Sequence, residues 1–276
     1  MKIELVEELQ EKYKKFFDNN KKIFDFYWEG IILLKELSIN IRNIIVMKTN
    51  ESRKYASGTY AIVSLEQMKN LDYFNAHYHL LKQGFCLPAY MPIRLIFESL
   101  QRIYLYLVDN VHAENIYNYS IIQDFENMNS QEENAFEEYK RQRYYSYSKV
   151  CNLLYKDNKR YRLKEAYSRL SNRSHPTFKS ASPSFRYSES AIKDVSETGQ
   201  SMLSTNIWIL FEIFGRYFND ELYKKTLNYL SKASPAFDLL PNKNNYINNL
   251  TLNSMEEFQR YLENPQLKSN LREIEF

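Results

Sequence analysis

The sequence predicts an all-α protein: an antiparallel multi-helix bundle with peripheral helices and one long Ser/Pro-containing loop. Three observations lead there. Apolar residues recur at helical spacing through most of the chain. Only 5 glycines and 7 prolines stand among 276 residues, too few for the turns of an all-β fold. The stretch 88–110, PAYMPIRLIFESLQRIYLYLVDN, is apolar on nearly every side. At about 100° per residue, Ile93, Ile96, Phe97, Leu100, Ile103, Tyr104 and Leu107 cover most of its circumference, while Arg94, Glu98, Gln101 and Arg102 share one polar stripe. A helix of this kind is surrounded by protein. Its charges then need partners within the fold, and Glu98 reaches both Arg94 and Arg102 by the i,i+4 relation.

The other elements follow in chain order. Residues 2–17 carry Ile3, Val6, Leu9, Tyr13, Phe16 and Phe17 at amphipathic spacing, and a second helix runs over 21–48 through Phe24, Tyr27, Ile31, Leu34, Ile41 and Ile45. The polar run 49–58 separates it from a third helix at 59–83. Gly84 marks a turn, and Pro88 fits the first turn of the central helix, 88–109. A shorter segment covers 112–127. Ser130 and Glu133 read as a capping box for a helix over 131–155, and another follows at 159–170. Residues 171–190, SNRSHPTFKSASPSFRYSES, read as an irregular connection broken by Pro176 and Pro183. The helical pattern resumes weakly at 188–197 and strongly over 200–229, and 230–276 reads as peripheral helices and tail. No repeat or clean linker divides the chain, so 1–276 is read as a single helical domain. The central helix is expected to pack on helices near 22–48, 131–155 and 200–218.

Composition narrows the classes of function. Hydrophobic residues at 44% and aromatic residues at 16% exclude a disordered chain. With 37 basic and 34 acidic residues, the formal charge of +3 permits contact with a phosphate backbone without indicating it. Cys86 and Cys151, in apolar surroundings, fit a reducing compartment better than a disulfide framework. No apolar run is long enough to span a bilayer, so no membrane partner and a cytoplasmic location are expected. Gly-rich phosphate loops, HExxH and Cys-x-x-Cys are absent, and no cofactor or metal is expected. His77 and His79, two apart on one helix, point about 200° apart and cannot chelate one ion together.

His175 has a different neighbourhood. Tyr167, Arg169, Ser171 and Arg173 precede it, and Lys179 and Arg186 follow. An arginine near a helix end can hold a phosphate, and an imidazole beside it exchanges a proton at neutral pH. Those are the two needs of metal-independent RNA cleavage. The plainer reading has Tyr167 and Leu170 in the core and His175 closing the helix end. RNA-contact candidates are Lys140, Arg141 and Arg143, with Tyr144, Tyr145 and Tyr147 as stacking surfaces, together with Lys179 and Arg186. Arg94, Glu98 and Arg102 are read either as an internal ion-pair network or as the lining of a polar pocket beside Tyr167 or His175.

Two windows, IRLIFESLQRIYLYL and YSRLSNRSHP, resemble a loose group of mostly uncharacterised all-helical bacterial proteins. In them the recurring Arg-x-x-x-Glu corresponds to Arg94 and Glu98, and Tyr-x-x-Leu-Ser-x-x-x-His to Tyr167, Ser171 and His175. More remotely, Arg169 to His175 resembles the Arg-x(4–6)-His signature of the HEPN superfamily, helical proteins that include metal-independent endoribonucleases of toxin and phage-defence systems. That resemblance implies Arg169 as the phosphate contact, His175 as acid or base, RNA as substrate, and a homodimer as the active unit. Leu170 departs from the pattern, since active members commonly place a polar residue directly after the arginine. Two alternatives stay open: a non-catalytic helical protein-interaction module, and a small-ligand sensor with a polar pocket along the central helix.

Overall fold

In the computed structural model the described residues are 3–51, 58–120, 122, 126–143, 157–174 and 189–233. Among them every regular element is helical. The helices are α1 (Ile3–Asn19), α2 (Lys21–Glu51), α3 (Gly58–Lys82), α4 (Cys86–Val108), α5 (Asn110–Ser120), α6 (Ser130–Arg143), α7 (Asp157–Ser174), α8 (Glu189–Phe214) and α9 (Asp220–Lys232), with a 3-10 turn at Gly215–Tyr217. No described helix is long and apolar enough to cross a membrane.

Helix α4 is the central one. Ile93, Ile96, Phe97, Leu100, Ile103, Tyr104, Leu105 and Tyr106 are all buried. It pairs with α3 across the turn at Gly84, whose φ of 84° suits a residue without a Cβ. On its other sides it packs on α7, α8 and α5. The expected neighbours near 22–48 and 131–155 mainly lean elsewhere: α2 packs on α3 and α8, and α6 on α5. Pro88 sits in the first turn of α4, where its N–H would be unpaired anyway. Pro92 lies deeper, and the Pro88 carbonyl that it leaves without an intrahelical donor belongs to an exposed residue.

Boundaries depart from the sequence reading in four places. Among the described residues the segment expected over 112–127 is helical only to Ser120, and Glu126 and Asn127 lie in a bend. Asn129, not Ser130, caps α6: its Oδ1 accepts from the amides of Gln131 and Glu132 at 3.0 and 3.1 Å, and Glu132 returns a bond to the Asn129 amide at 2.7 Å. The irregular connection expected from 171 begins later, because α7 continues through Ser174 and Ser174 Oγ donates back to the Ser171 carbonyl at 3.0 Å. The pattern expected to resume weakly at 188–197 and strongly over 200–229 is instead one helix, α8, followed by a break. Gly199 lies inside α8, and Asn219 starts α9 by accepting from the Leu222 amide at 2.8 Å.

Gly199 is tolerated within α8 because the space beside it is filled. His77 and Tyr27 press against that face, the Tyr27 hydroxyl 2.6 Å from His77 Nδ1. His77 is fully buried, and burial holds its imidazole down to about pKa 3, despite a backbone contact at Val195 that works the other way. Its neighbour His79 is exposed, as the angular separation of the two requires.

Candidate functional site

The polar stripe of α4 meets α7. Within α4, Arg94 Nε donates to Glu98 Oε1 at 3.1 Å, which is the i,i+4 pair that the sequence predicts. Across the interface, Arg94 Nη2 donates to the Tyr167 hydroxyl at 2.8 Å, and the guanidinium carbon lies 5.1 Å from the centre of the Tyr167 ring. The two residues are 73 positions apart in sequence. Leu170, buried beside Tyr167, seats this face of α7 on the core.

Glu98 continues the chain of charges toward α3. Its Oε2 stands 4.0 Å from Arg102 Nη1, and Arg102 Nη2 is 3.3 Å from Glu66 Oε2. Glu66 is buried and also receives Ser99 Oγ at 2.9 Å and Lys69 Nζ at 3.0 Å. Burial alone would raise the Glu66 carboxyl, but Arg102, Lys69 and the Ser99 bond outweigh it and hold the group below its ordinary value. For Arg94, burial opposes the charge, while the bonds to Tyr167 and Glu98 more than compensate, so its pKa is raised. The Tyr167 phenol is pushed up by burial first and then by the negative charge of Glu98, to which its hydroxyl also bonds. Among the described residues the network holds three cations and two carboxylates, an excess of one positive charge.

Exposure differs along the network. The side chains of Arg94 and Glu98 are 23% and 22% exposed, whereas Glu66 is 5% exposed. The Glu66 carboxylate itself is therefore closed off, while the cations beside it, Arg102 at 36% and Lys69 at 55%, reach solvent as Arg94 does. Gln101, grouped with the stripe by sequence, is fully buried.

The remaining predicted residues fall as follows. Arg169 is exposed on α7, about 200° around the helix from Tyr167. Ser171 is half-buried, about 40° from Tyr167 on the side that meets α4. Arg173 sits on α7, and Arg141 and Arg143 on α6, with side chains outside the described set. Lys140 is exposed and paired with Glu137 at 2.7 Å, its ammonium 4.2 Å from the Phe136 ring centre. His175, Lys179, Arg186, Tyr144, Tyr145 and Tyr147 lie outside the described residues, His175 directly after the end of α7.

Sequence reading missed Glu66, Lys69 and Ser99 as members of this network. The signal present was Glu66 on the helix before α4, but nothing in one sequence sets the register of two helices against each other. Among the described residues no group of three or more His, Cys, Asp or Glu side chains is arranged to hold a metal ion. No protein-family model, curated protein or solved structure matches this chain, so the fold and the α4–α7 junction stand on their own geometry.

Proposed function

We propose that the protein is a metal-independent endoribonuclease of toxin or phage-defence type, with its phosphate-holding site at the α4–α7 junction. One observation carries this reading: the 2.8 Å bond from Arg94 to Tyr167 joins the two sequence windows that resemble the helical bacterial group. The Arg94 guanidinium is a rigid planar fork whose geometry matches phosphate oxygens, and Glu98 and Tyr167 help to orient it. The net positive charge of the network favours that anion.

In the proposed reaction the ribose 2′-oxygen attacks the adjacent phosphorus and the 5′-oxygen leaves, giving a 2′,3′-cyclic phosphate and a 5′-hydroxyl. His175 takes the proton from the 2′-hydroxyl or returns one to the leaving oxygen. Arg169 stabilises the charge that builds on the phosphorane, and Arg94 holds the phosphate in register. Arg169 and Tyr167 lie on different sides of α7, an arrangement that suits a strand passing over the end of that helix or a second copy completing the site. Ser171, on the Tyr167 side, is a further contact for the strand.

The test is an RNA-cleavage time course in EDTA with end-group analysis, comparing the intact protein with His175→Ala, Arg169→Ala and Arg94→Lys variants of verified helicity and melting. Cyclic phosphate ends formed by the intact protein and lost with His175→Ala support the reading. Absence of cleavage on both structured and single-stranded RNAs, or activity undiminished in all three variants, refutes it.

A second reading, a protein-interaction module, has its own observation. Trp28, Ile32, Ile39 and Val46 are exposed by 36 to 55% on one face of α2, and Leu65 and Met68 of neighbouring α3 are exposed as well. Sedimentation of wild type against an Ile32→Glu, Ile39→Glu double variant tests self-association through that stripe. An unchanged mass across micromolar concentrations would remove a second copy as its partner.

A further inference from the structure

A second concave site lies away from the polar stripe, where α1 crosses the α3–α4 turn. It is a solvent-open cleft of about 420 Å³, lined by Tyr13, Lys14, Phe17, Lys82, Gln83 and Phe85. That volume falls in the range of small-molecule sites. The turn itself builds the cleft: Gly84, at φ 84°, lets the Tyr13 ring lie directly on the backbone, so that a Cβ there would stand 3.2 Å from the ring. Tyr13 forms the floor and is buried, while Phe85 stands 52% exposed at the edge. The Tyr13 hydroxyl makes no hydrogen bond of ordinary geometry, although the Gly84 backbone and the Cys86 thiol lie beside it.

Among the described residues that line the cleft, the charges have one sign. Lys14 and Lys82 both line it, both are exposed, and neither forms an ion pair among the described residues. Two aromatic side chains flanking an aromatic floor favour a flat apolar group, which stacks on or edges against such rings. Two ammonium groups at the same opening favour an anion on that group. Gln83 adds an amide that donates to a carboxylate as readily as to water. A neutral aromatic compound would leave the cations uncompensated, and an aliphatic anion would leave the Phe17 and Phe85 faces uncovered.

We propose that this cleft binds a small aromatic carboxylate, its ring between Phe17 and Phe85 over Tyr13 and its carboxylate between Lys14 and Lys82. The site is separate from the α4–α7 junction and does not depend on the ribonuclease reading. It gives the protein a means to take up a low-molecular-weight anion where α1 meets the α3–α4 turn.

The experiment uses the full chain with 8-anilinonaphthalene-1-sulfonate as fluorescent probe, displaced by indole-3-acetate and, in parallel, by the neutral indole-3-acetamide. Saturable probe binding, displacement by the acetate at least tenfold more effective than by the amide, and a tenfold or greater weakening in the Lys14→Glu, Lys82→Glu double variant are expected. A Phe85→Ser variant should weaken both ligands. These positions are exposed, so unchanged melting curves separate loss of binding from loss of fold, and Tyr167→Phe should bind as wild type does. Equal displacement by acid and amide, binding unaltered by charge reversal, or no saturable binding at millimolar ligand would each overturn the proposal. So would capture of an acidic Phe-containing peptide by a cleft that ignores indole-3-acetate, since that result would make it a protein-docking surface.

Discussion

Replacing Gly199 by alanine sets two well-understood effects against each other. On helix propensity alone the change should stabilise a mid-helix position by roughly 0.5–1 kcal/mol. The space around it says otherwise. A Cβ at 199 would meet His77 Nδ1 at 2.8 Å and the Tyr27 hydroxyl at 3.0 Å, with His77 Cε1 closer still. Both neighbours are fully buried and joined by their own 2.6 Å hydrogen bond. Making room forces rings in a packed core off their positions, at a cost of about 1–3 kcal/mol. If the Tyr27–His77 bond breaks, two buried polar groups lose their partners for roughly another 1–3 kcal/mol. The expected net effect is a destabilisation of about 1–4 kcal/mol, or roughly 2–4 °C per kcal/mol for a chain of this size. Urea and thermal melts of the variant read it directly. A Gly199→Ala protein more stable than wild type would refute the close contact of α8 with His77, because propensity would then have won.

The imidazole of His77 makes a pH prediction with a definite sign. Its folded pKa is depressed to about 3 from an ordinary value near 6.5, so the unfolded chain binds the proton first; stability is complete above pH 6.5 and falls as pH drops, by about 2 kcal/mol at pH 5. Urea midpoints at pH 7 and 5 should show this, and His77→Asn should lose most of the difference. Tyr167→Phe removes the acceptor of the Arg94 bond at a partly exposed site, so melting should change by less than about 1 kcal/mol while RNA cleavage falls tenfold or more; equal loss of both would make the residue structural. Glu66→Gln should cost about 1 kcal/mol near neutral pH, since its cations Arg102 and Lys69 are over a third exposed and well screened. The folded pKa of Glu66 is lowered, so that contribution is present above the ordinary carboxylate value and disappears as pH falls through the folded one; the gap between the wild-type and Glu66→Gln curves should narrow in acid. Asn219→Ala should cost about 1 kcal/mol by removing the cap of α9, measured by chemical denaturation.

What the sequence disclosed was local. Periodicity located α2, α3 and α4 to within a few residues because each buries a wide apolar face, and the Arg94–Glu98 pair followed from i,i+4 geometry alone. The cap of α6 was misplaced by one residue because Ser130 and Glu133 satisfy the same pattern as Asn129 and Glu132, and only backbone geometry decides between them. The continuation of α7 through SNRS was hidden by residues that favour turns in isolation, and tertiary seating of Leu170 on the core outweighs that preference. The Arg94–Tyr167 contact was expected only as a neighbourhood. Which side of α7 meets α4 is a matter of register between two helices, and one sequence carries no direct signal for that.

On the proposed function, one run of charges on α4 serves both support and anion binding. Glu98 lies between two arginines four residues away on either side, and the fold treats the two differently. Toward Arg102 the network closes on a carboxylate that is 5% exposed and tied to Ser99, a hydroxyl with no route to solvent. The buried Glu66 carboxylate ties α3 to α4 through Arg102 and Ser99, while the outer parts of Arg102 and Lys69 stay in water. Toward Arg94 the network ends on Tyr167, at a border where about a fifth of each charged side chain meets water. A cation held in place by two orienting partners, yet reachable from outside, has the preorganisation that anion binding requires, because it need not move or be desolvated afresh when the ligand arrives. Were stability the sole requirement of the stripe, apolar side chains at 94 and 98 would seal α7 on α4 at no electrostatic cost. On the proposed function, the buried Glu66 carboxylate anchors the network between α3 and α4, and Arg94, held by Glu98 and Tyr167, addresses the anion.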